Sequence, residues 1–516
     1  MSLSQIPFAK HNCHQVYDAQ QVLTNEGLIA QSQKVPMYQL MEWAGKAAFE
    51  QLSQHWPKAK VILLLCGKGN NGGDGFIIAR LAHLAGIKVS VLLTCQPSEI
   101  KGDANIAYQA MISAGVKQVF TENILEHIRR FQGQVIVDAL FGIGFYGVLA
   151  EPGQQWVEAI NENKTPVLSV DTPSGLCAST GYVNEKNAVI ADITVTFIVY
   201  KQGLLTGQAA NFVGKIILAE LTLGTAFKQQ VASKHLYQSL SMLINDTSPL
   251  KKRWRTSHKG SIGQILAIGG NVGMPGAIRL ASEGALRSGA ALVSVCCHDD
   301  NQNLVFNGRP ELMLAPSNAK ELAQSKAMEK ASVILLGPGL GQQTWSQQLF
   351  DLVIEQSKQS KFQKLMVIDA DALTLLARIP RYYKHWILTP HPKEAAILLG
   401  CSVKDIEADR FKAVRAIVKK YGGICVLKGA GSLICDGEQV VINSTGNAGM
   451  ASGGMGDVLS GIVAAFILQA EHYFAAVCLA VYIHGAAGDI IASTYGQRGM
   501  LASDLFTPIQ QLTNQA

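Results

Sequence analysis

The chain has 516 residues, of which 49 are glycine, with 48% apolar and 16% charged types and a formal net charge of +6. That length predicts roughly two to five domains of about 100–200 residues. The apolar content excludes a disordered chain and the aperiodic glycine excludes a collagen-like one, which leaves a globular protein with sizeable cores. Glycine exceeds its usual ~7% share, and 22 of the 49 glycines fall in six short loops.

The ten cysteines include no CxxC pair. This argues against a zinc site or a disulfide framework and for buried, reduced thiols in a cytoplasmic protein. The only dense basic run, Lys251-Lys252-Arg253-Trp254-Arg255, reads as an exposed linker, since nucleic-acid binders carry a stripe of such clusters. No signal-peptide core occurs between Met1 and Tyr17, and apolar runs such as Val61–Cys66 fall far short of the about 20 residues needed to span a bilayer. The expected protein is soluble, binds small molecules rather than nucleic acid or membrane, and forms a homo-oligomer.

From residue 60 on, short apolar runs alternate with longer mixed segments, the pattern of parallel strands covered by helices. Strands are predicted at Lys60–Cys66, Val89–Leu93, Val135–Val137, Val167–Val170, Thr194–Val199 and Lys215–Leu218. The rhythm lapses from Thr225 to Arg255, a polar stretch containing Pro249. It resumes at Gln264–Ile268, Ala291–Cys296, Val333–Leu336, Leu365–Ile368, Trp386–Leu388 and Ile424–Leu427. The expectation is two three-layer α/β domains, residues 1–225 and 251–516, with a linker region at 226–250. In both, glycine-rich segments follow predicted strands, where open α/β sheets bind ligands.

Cys66-Gly67-Lys68-Gly69-Asn70-Asn71-Gly72-Gly73-Asp74-Gly75 follows the first strand and opens a helical segment. Its glycines allow close passage of a ligand and aim successive N–H groups at an anion. It is neither a Walker loop nor a GxGxxG fingerprint. Further on, Val135–Val137 runs into Asp138-Ala139-Leu140-Phe141-Gly142-Ile143-Gly144-Phe145-Tyr146-Gly147, and Val167–Val170 ends in Asp171-Thr172-Pro173-Ser174-Gly175. Two aspartates thus stand at strand tips on the edge that carries the glycine loop.

NNGGDG, VDALFGIG and VDTPSG, with Lys201-Gln202-Gly203-Leu204 behind them, resemble the NAD(P)H-hydrate epimerase (YjeF N-terminal) family, whose domain is Rossmann-like. The resemblance implies interconversion of the R and S forms of 6-hydroxylated NADH and NADPH. By it, Asn70, Asn71, Gly72, Gly73, Asp74 and Gly142, Ile143, Gly144, Phe145, Tyr146, Gly147, Val148 hold the dinucleotide. Asn71, Asp138 and Ser174 offer oxygens to a potassium ion, and Asp171 meets the hydrated nicotinamide as acid/base. A carboxylate can shuttle the proton that labilises the C6 hydroxyl. Lys201 reads equally as a helper or as a solvated strand-end lysine. The same scaffold also occurs as a non-catalytic module in mRNA-decapping proteins, a reading against which Asp171 and the intact loop stand.

In the second half, Gly269-Gly270-Asn271-Val272-Gly273-Met274-Pro275-Gly276-Ala277, Gly337-Pro338-Gly339-Leu340-Gly341, Thr389-Pro390-His391-Pro392-Lys393-Glu394 and Lys428-Gly429-Ala430-Gly431-Ser432 each follow a predicted strand. Gly453-Gly454-Met455-Gly456-Asp457 then opens a helix. Glycines at a positive helix end present N–H groups to a phosphoryl group, and a first-turn aspartate can take the proton of an attacking hydroxyl.

These motifs resemble the ribokinase-like fold, specifically its ADP/ATP-dependent NAD(P)H-hydrate dehydratase branch (YjeF C-terminal). The resemblance implies that Ala277, Gly339 and His391 contact the hydrated dinucleotide. Lys428, Gly429, Ala430, Gly431, Ser432 and Gly456 bind the nucleotide, and Asp457 binds substrate and acts as base. ADP with magnesium is the expected co-substrate, NADHX and NADPHX the expected substrates. A vitamin- or sugar-type kinase would share Gly-Gly-Met-Gly-Asp, and a nucleotide-binding scaffold would tolerate loss of Asp457. The fused first domain opposes the kinase.

Overall fold

The computed structural model describes residues 14–119, 123–233, 235–237, 249–357 and 364–515. Cys13 and residues 238–248 of the expected linker lie outside them. The described residues form two compact units, Gln15–His235 and, with His14, Leu236–Ala516.

The first unit is built on a seven-stranded, wholly parallel sheet. Its order is Gln118–Val119, Lys88–Leu93, Val61–Cys66, Val135–Ala139, Val167–Val170, Ile193–Phe197 and Lys215–Ala219. Central strands such as Val135–Ala139 are buried along their whole length, as required where helices cover both faces of a parallel sheet. The chain moves outward from Val61–Cys66 in one direction and then resumes on its other side at Val135–Ala139. The crevice between those two strand ends is therefore the topological switch point. There the loops close tightly: a Cβ on Gly67 would lie 2.2 Å from Leu140 O.

One expected strand is interrupted. Thr194–Val199 stops at Phe197, Ile198 takes φ +66, and Tyr200–Lys201 forms a separate short strand paired with His14–Tyr17. A β-branched residue in the left-handed region is strained, and the break turns the following chain beneath the neighbouring strand ends.

The second unit repeats the plan with seven parallel strands: Leu312–Leu314, Leu292–Cys296, Gln264–Ile268, Val333–Leu336, Leu365–Ile368, Trp386–Leu388 and Ile424–Leu427. An antiparallel extension, Leu433–Cys435 and Val440–Ile442, was not evident in the sequence. Its three-residue strands are too short to show a period. The helix Met455–Gln469 packs on Pro275–Arg287 through Gly461, where a Cβ would meet Ala281 O at 1.9 Å. Tyr473–Tyr495 corrects the reading of apolar runs. At 23 residues it is long and apolar enough to cross a membrane by length and composition, yet 72% of its apolar window is buried inside the protein. It is the core helix of this unit. None of the nine described cysteines is in a disulfide, and among them only Cys401 is exposed.

Candidate active sites

At the switch point of the first unit lies a cavity of about 700 Å³, large enough for most of a dinucleotide. Asn70, Asn71, Asp74, Gly142, Ile143, Gly144, Phe145, Tyr146 and Asp171 line it, while Gly72, Gly73, Gly147 and Val148 do not. Gly72 and Gly73 serve packing: Cβ atoms there would meet Gly67 O at 1.9 Å and Met41 Sδ at 2.6 Å. The first turn of the helix Asn70–Leu84 is thereby pressed into the protein, and only its polar side chains reach the cavity.

Asp171 follows its strand with φ +65, a conformation costing about 1–3 kcal/mol that commonly marks functional sites. Its Oδ1 accepts from Lys201 Nζ at 2.6 Å and from Thr196 Oγ1 at 3.2 Å. Lys201 is 1% exposed and also donates to Thr196 Oγ1 at 3.0 Å and to Phe197 O at 2.8 Å. The solvated-lysine reading is therefore set aside, because a buried ammonium requires such partners. Oδ2 of Asp171 has no hydrogen-bond partner among the described residues and is left for a ligand.

Asp138 and Ser174 lie beneath the cavity. Ser174 Oγ and Ser169 Oγ donate to the two oxygens of Asp138 at 2.6 and 2.9 Å, and Ser174 N adds a third bond at 2.9 Å. Burial still pushes the Asp138 carboxyl up, against those hydrogen bonds. Asn71 has neither Nδ2 nor Oδ1 satisfied although both are buried. A helix-face residue absent from the sequence reading, Glu26, also lines the cavity.

In the second unit the switch point is closed by backbone pairing. Gly270 N donates to Pro338 O at 3.0 Å and Asn271 N to Gly339 O at 2.7 Å. Gly339 has φ +60, and a Cβ on it would sit 3.0 Å from the Ala277 methyl, so these two expected substrate contacts adjoin. His391 caps the helix Pro392–Leu399, its Nδ1 accepting from Lys393 N and Glu394 N at 3.1 and 3.2 Å. That fixes the neutral ring with its proton on Nε2, which faces Glu394 Oε1 at 3.4 Å. Burial and then Lys428 hold His391 below the ordinary histidine range.

Lys428 is the hub of this site. Its Nζ lies 2.9 Å from Asp369 Oδ1, 3.8 Å from Glu394 Oε2 and 3.3 Å from where a Cβ of Gly456 would stand. Asp369 also accepts from Ser460 Oγ on the helix that Asp457 opens. Burial raises Asp369, but Lys428 and Ser460 outweigh it and hold the carboxyl down. Asp457 has no such partner among the described residues. Burial first, then Asp369, pushes it up to about 7 against the pull of Lys428, and Glu394 rises to about 7 chiefly by burial. The loop after Lys428 closes on itself through Ser432 Oγ and Gly429 O at 2.9 Å. Beneath it the buried Arg410 guanidinium donates to Leu427 O and Lys428 O at 3.2 and 3.1 Å. Asp369 and Arg410 carry no glycine-loop signature, so no motif pointed to them. Asp369 stands directly after a correctly expected strand, the one signal available.

Fold and sites together define a two-domain α/β enzyme, with a cavity of about 700 Å³ at the switch point of one unit and a glycine-rich helix start beside Lys428 in the other. Residues 37–203 match the family described as YjeF-related protein N-terminus, and residues 265–511 that of NAD(P)H-hydrate dehydratase. The chain is 41% identical to the bifunctional NAD(P)H-hydrate repair enzyme Nnr of Escherichia coli K12, over 97% of this chain and 94% of that one. It is 41% identical to the Coxiella burnetii enzyme of the same name, over 97% and 99%. A crystal structure of the ADP/ATP-dependent NAD(P)H-hydrate dehydratase of Bacillus subtilis with ATP/Mg2+ aligns at 30% identity, covering 52% of this chain and 94% of that one with a TM-score of 0.47. The chain belongs to the bifunctional NAD(P)H-hydrate repair enzymes.

Proposed function

We propose that Asp171 exchanges the R and S hydrates of NADH and NADPH in the first unit, and that Asp457 drives ADP-dependent dehydration of the S hydrate in the second. The observation that carries this reading is a matched pair: each aspartate stands at a strand-end or helix-start glycine loop with one buried lysine, Lys201 or Lys428, in its field. The activities are assigned to residues 1–225 and 251–516, with 226–250 between them, in a cytoplasmic homo-oligomer.

In the dehydratase, Asp457 takes the C6 hydroxyl proton as that oxygen attacks the terminal phosphorus of ADP, and AMP leaves. The Gly453–Gly456 N–H groups and Lys428 hold the phosphoryl charge. The ring nitrogen then expels phosphate, loss of a C5 proton restores the ring double bond, and reduced nicotinamide is regenerated. Among the described residues no group of three metal-ligating His, Cys, Asp or Glu occurs. Magnesium would supply neutralising charge to the nucleotide phosphates, and the Glu394 carboxylate would hold it. Potassium suits the first unit's oxygen set, because the buried Asn71 Oδ1 lacks any partner there. Asn71, Asp138 and Ser174 would hold it, adding fixed positive charge near the dinucleotide.

The test is to supply R hydrate alone with ADP or with ATP and follow the near-ultraviolet absorbance of reduced nicotinamide. Full recovery with ADP is expected. Phosphorylated product without recovery would mean a kinase and would sink the reading.

A further inference from the structure

Glu26 lies in the helix Ala19–Ser32, ahead of the residues that match the YjeF-related family, and lines the same cavity as Asp74, Asp171 and Lys201. Its helix is tied to that site. Asp18 caps the helix by accepting from Gln20 N at 2.7 Å, and it also accepts from Ser179 Oγ at 3.0 Å and Gln202 Nε2 at 3.4 Å. Gln202 is the neighbour of Lys201. Val22, one turn before Glu26, is 1% exposed, so this face of the helix turns inward.

Five carboxyls and two ammoniums line this cavity. Lys68 faces Glu99 at 3.3 Å and Lys201 is committed to Asp171, which leaves Glu26, Asp74 and Asp103 without an ion pair there. Neither Glu26 nor Asp74 has a hydrogen-bond partner among the described residues, although Asp74 is only 8% exposed. Burial, reinforced by Asp171 and opposed by Lys201, pushes Glu26 up to about 7. Burial, then Asp171 and Glu26, raises Asp74 well above its ordinary value. The set thus combines an ion-paired carboxylate with a transferable proton beside it.

We propose that Glu26 is the second proton carrier of the epimerase, donating to the ring nitrogen N1 while Asp171 accepts from the C6 hydroxyl. The inference rests on the reading of this cavity as the epimerase site. C6 of the hydrate carries both a hydroxyl and a nitrogen, so it is a hemiaminal carbon. Asp171 takes the hydroxyl proton and the O–H electron pair becomes the second bond of a C6 carbonyl. The C6–N1 bond breaks with its pair passing to N1, which takes the proton of Glu26. Rotation about C5–C6 then presents the other carbonyl face. Closure reverses each transfer: N1 attacks C6 and returns its proton to Glu26, and the oxygen recovers its proton from Asp171. Both carboxyls end as they began and no other reactant is consumed. Asp171, held as a carboxylate by Lys201, has no proton of its own to give N1 in the opening step, so a second group supplies it.

The experiment measures R/S exchange without ADP in the full chain carrying Glu26→Gln or Glu26→Asp. Glu26→Gln is expected to lower kcat for exchange about 100-fold with KM little changed, while S-hydrate dehydration with ADP stays intact. Wild-type exchange should decline as pH rises through about 7, where Glu26 loses its proton in the field of Asp74, Asp171 and Lys201. Glu26→Gln should abolish that limb, and Glu26→Asp should keep a shifted limb with partial kcat, which carries the test if the glutamine variant fails to fold. In 18O-labelled water, inversion should retain the C6 oxygen. Exchange within twofold of wild type in Glu26→Gln, a loss confined to KM, or one 18O taken up per inversion would overturn the proposal. Asp171→Asn separates the two readings: if it silences exchange while Glu26→Gln does not, only the role of Glu26 fails. If neither affects exchange, the epimerase assignment of the cavity fails.

Discussion

The glycine loops that open the helices Asn70–Leu84 and Met455–Gln469 look alike as sequence and do different physical work. In the first, Cβ atoms at Gly72, Gly73 and Gly75 would all approach other atoms within 2.8 Å, so these glycines let backbone and side chains close together. In the second, Gly454 is packed, its would-be Cβ 2.5 Å from Leu280 Cδ1, but Gly453 has nothing within 4 Å of its own, and the nearest atom to that of Gly456 is the Lys428 ammonium at 3.3 Å. The first loop is packing material that carries polar side chains into a cavity. The second is open at Gly453 and Gly456, with a cation beside it, and is anchored at Gly454. The aspartates differ accordingly: Asp171 is neutralised by direct contact with a lysine, whereas Asp457 faces its lysine without a hydrogen bond.

The sharpest test of this division is catalytic. Asp457→Asn should lower dehydration by about 1,000-fold and leave R/S exchange unchanged, with Asp171→Asn doing the reverse. Steady-state assays of both reactions on each variant check it, and loss of both activities in a folded variant would break the two-site assignment. Lys201→Met is expected next, since removing one member of a buried ion pair costs about 3–5 kcal/mol. Denaturant unfolding of the first unit should show that loss together with abolished exchange. Gly72→Ala should destabilise the first unit by about 3 kcal/mol, while Gly453→Ala should stay within about 0.5 kcal/mol of wild type. Equal effects in urea titrations would erase the contrast between packed loop and open cradle.

A smaller effect separates the aspartates by pH. Asp457 must be a carboxylate to act as base, and its carboxyl lies at about 7. Dehydration should therefore fall about tenfold per unit below that point, in a kcat profile at saturating ADP. Stability runs the other way. A carboxyl raised in the folded state stabilises below its ordinary value of about 4 and loses that contribution as pH rises through about 7. Asp457→Asn should accordingly raise Tm at pH 8 by a few degrees (about 2–4 °C per kcal/mol) and change little at pH 4. Calorimetry at the two pH values is the measurement.

Much of this was legible in advance. Val167–Val170, Gln264–Ile268, Val333–Leu336 and Leu365–Ile368 coincide with their predicted spans, because a strand buried on both faces is an unbroken apolar run. Asp171 and Asp457 were legible because each sits at a strand end or helix start marked by glycine. The core role of Tyr473–Tyr495 was missed because its few polar residues hide a long helix from a search for unbroken apolar runs. Glu26 was missed because nothing around it departs from an ordinary amphipathic helix.

Sequence alone determined two α/β units, the strand-end placement of the glycine loops and the positions of the two aspartates proposed to carry the chemistry. These follow from local pattern, since apolar period and glycine spacing act on the neighbouring chain. Only the tertiary structure decided which charges meet. Lys201 is paired with Asp171 across 30 residues, Lys428 with Asp369 across 59, and Ser460 with Asp369 across 91. A buried ion pair depends on distance through space and on the exclusion of water, and neither is written in the order of residues.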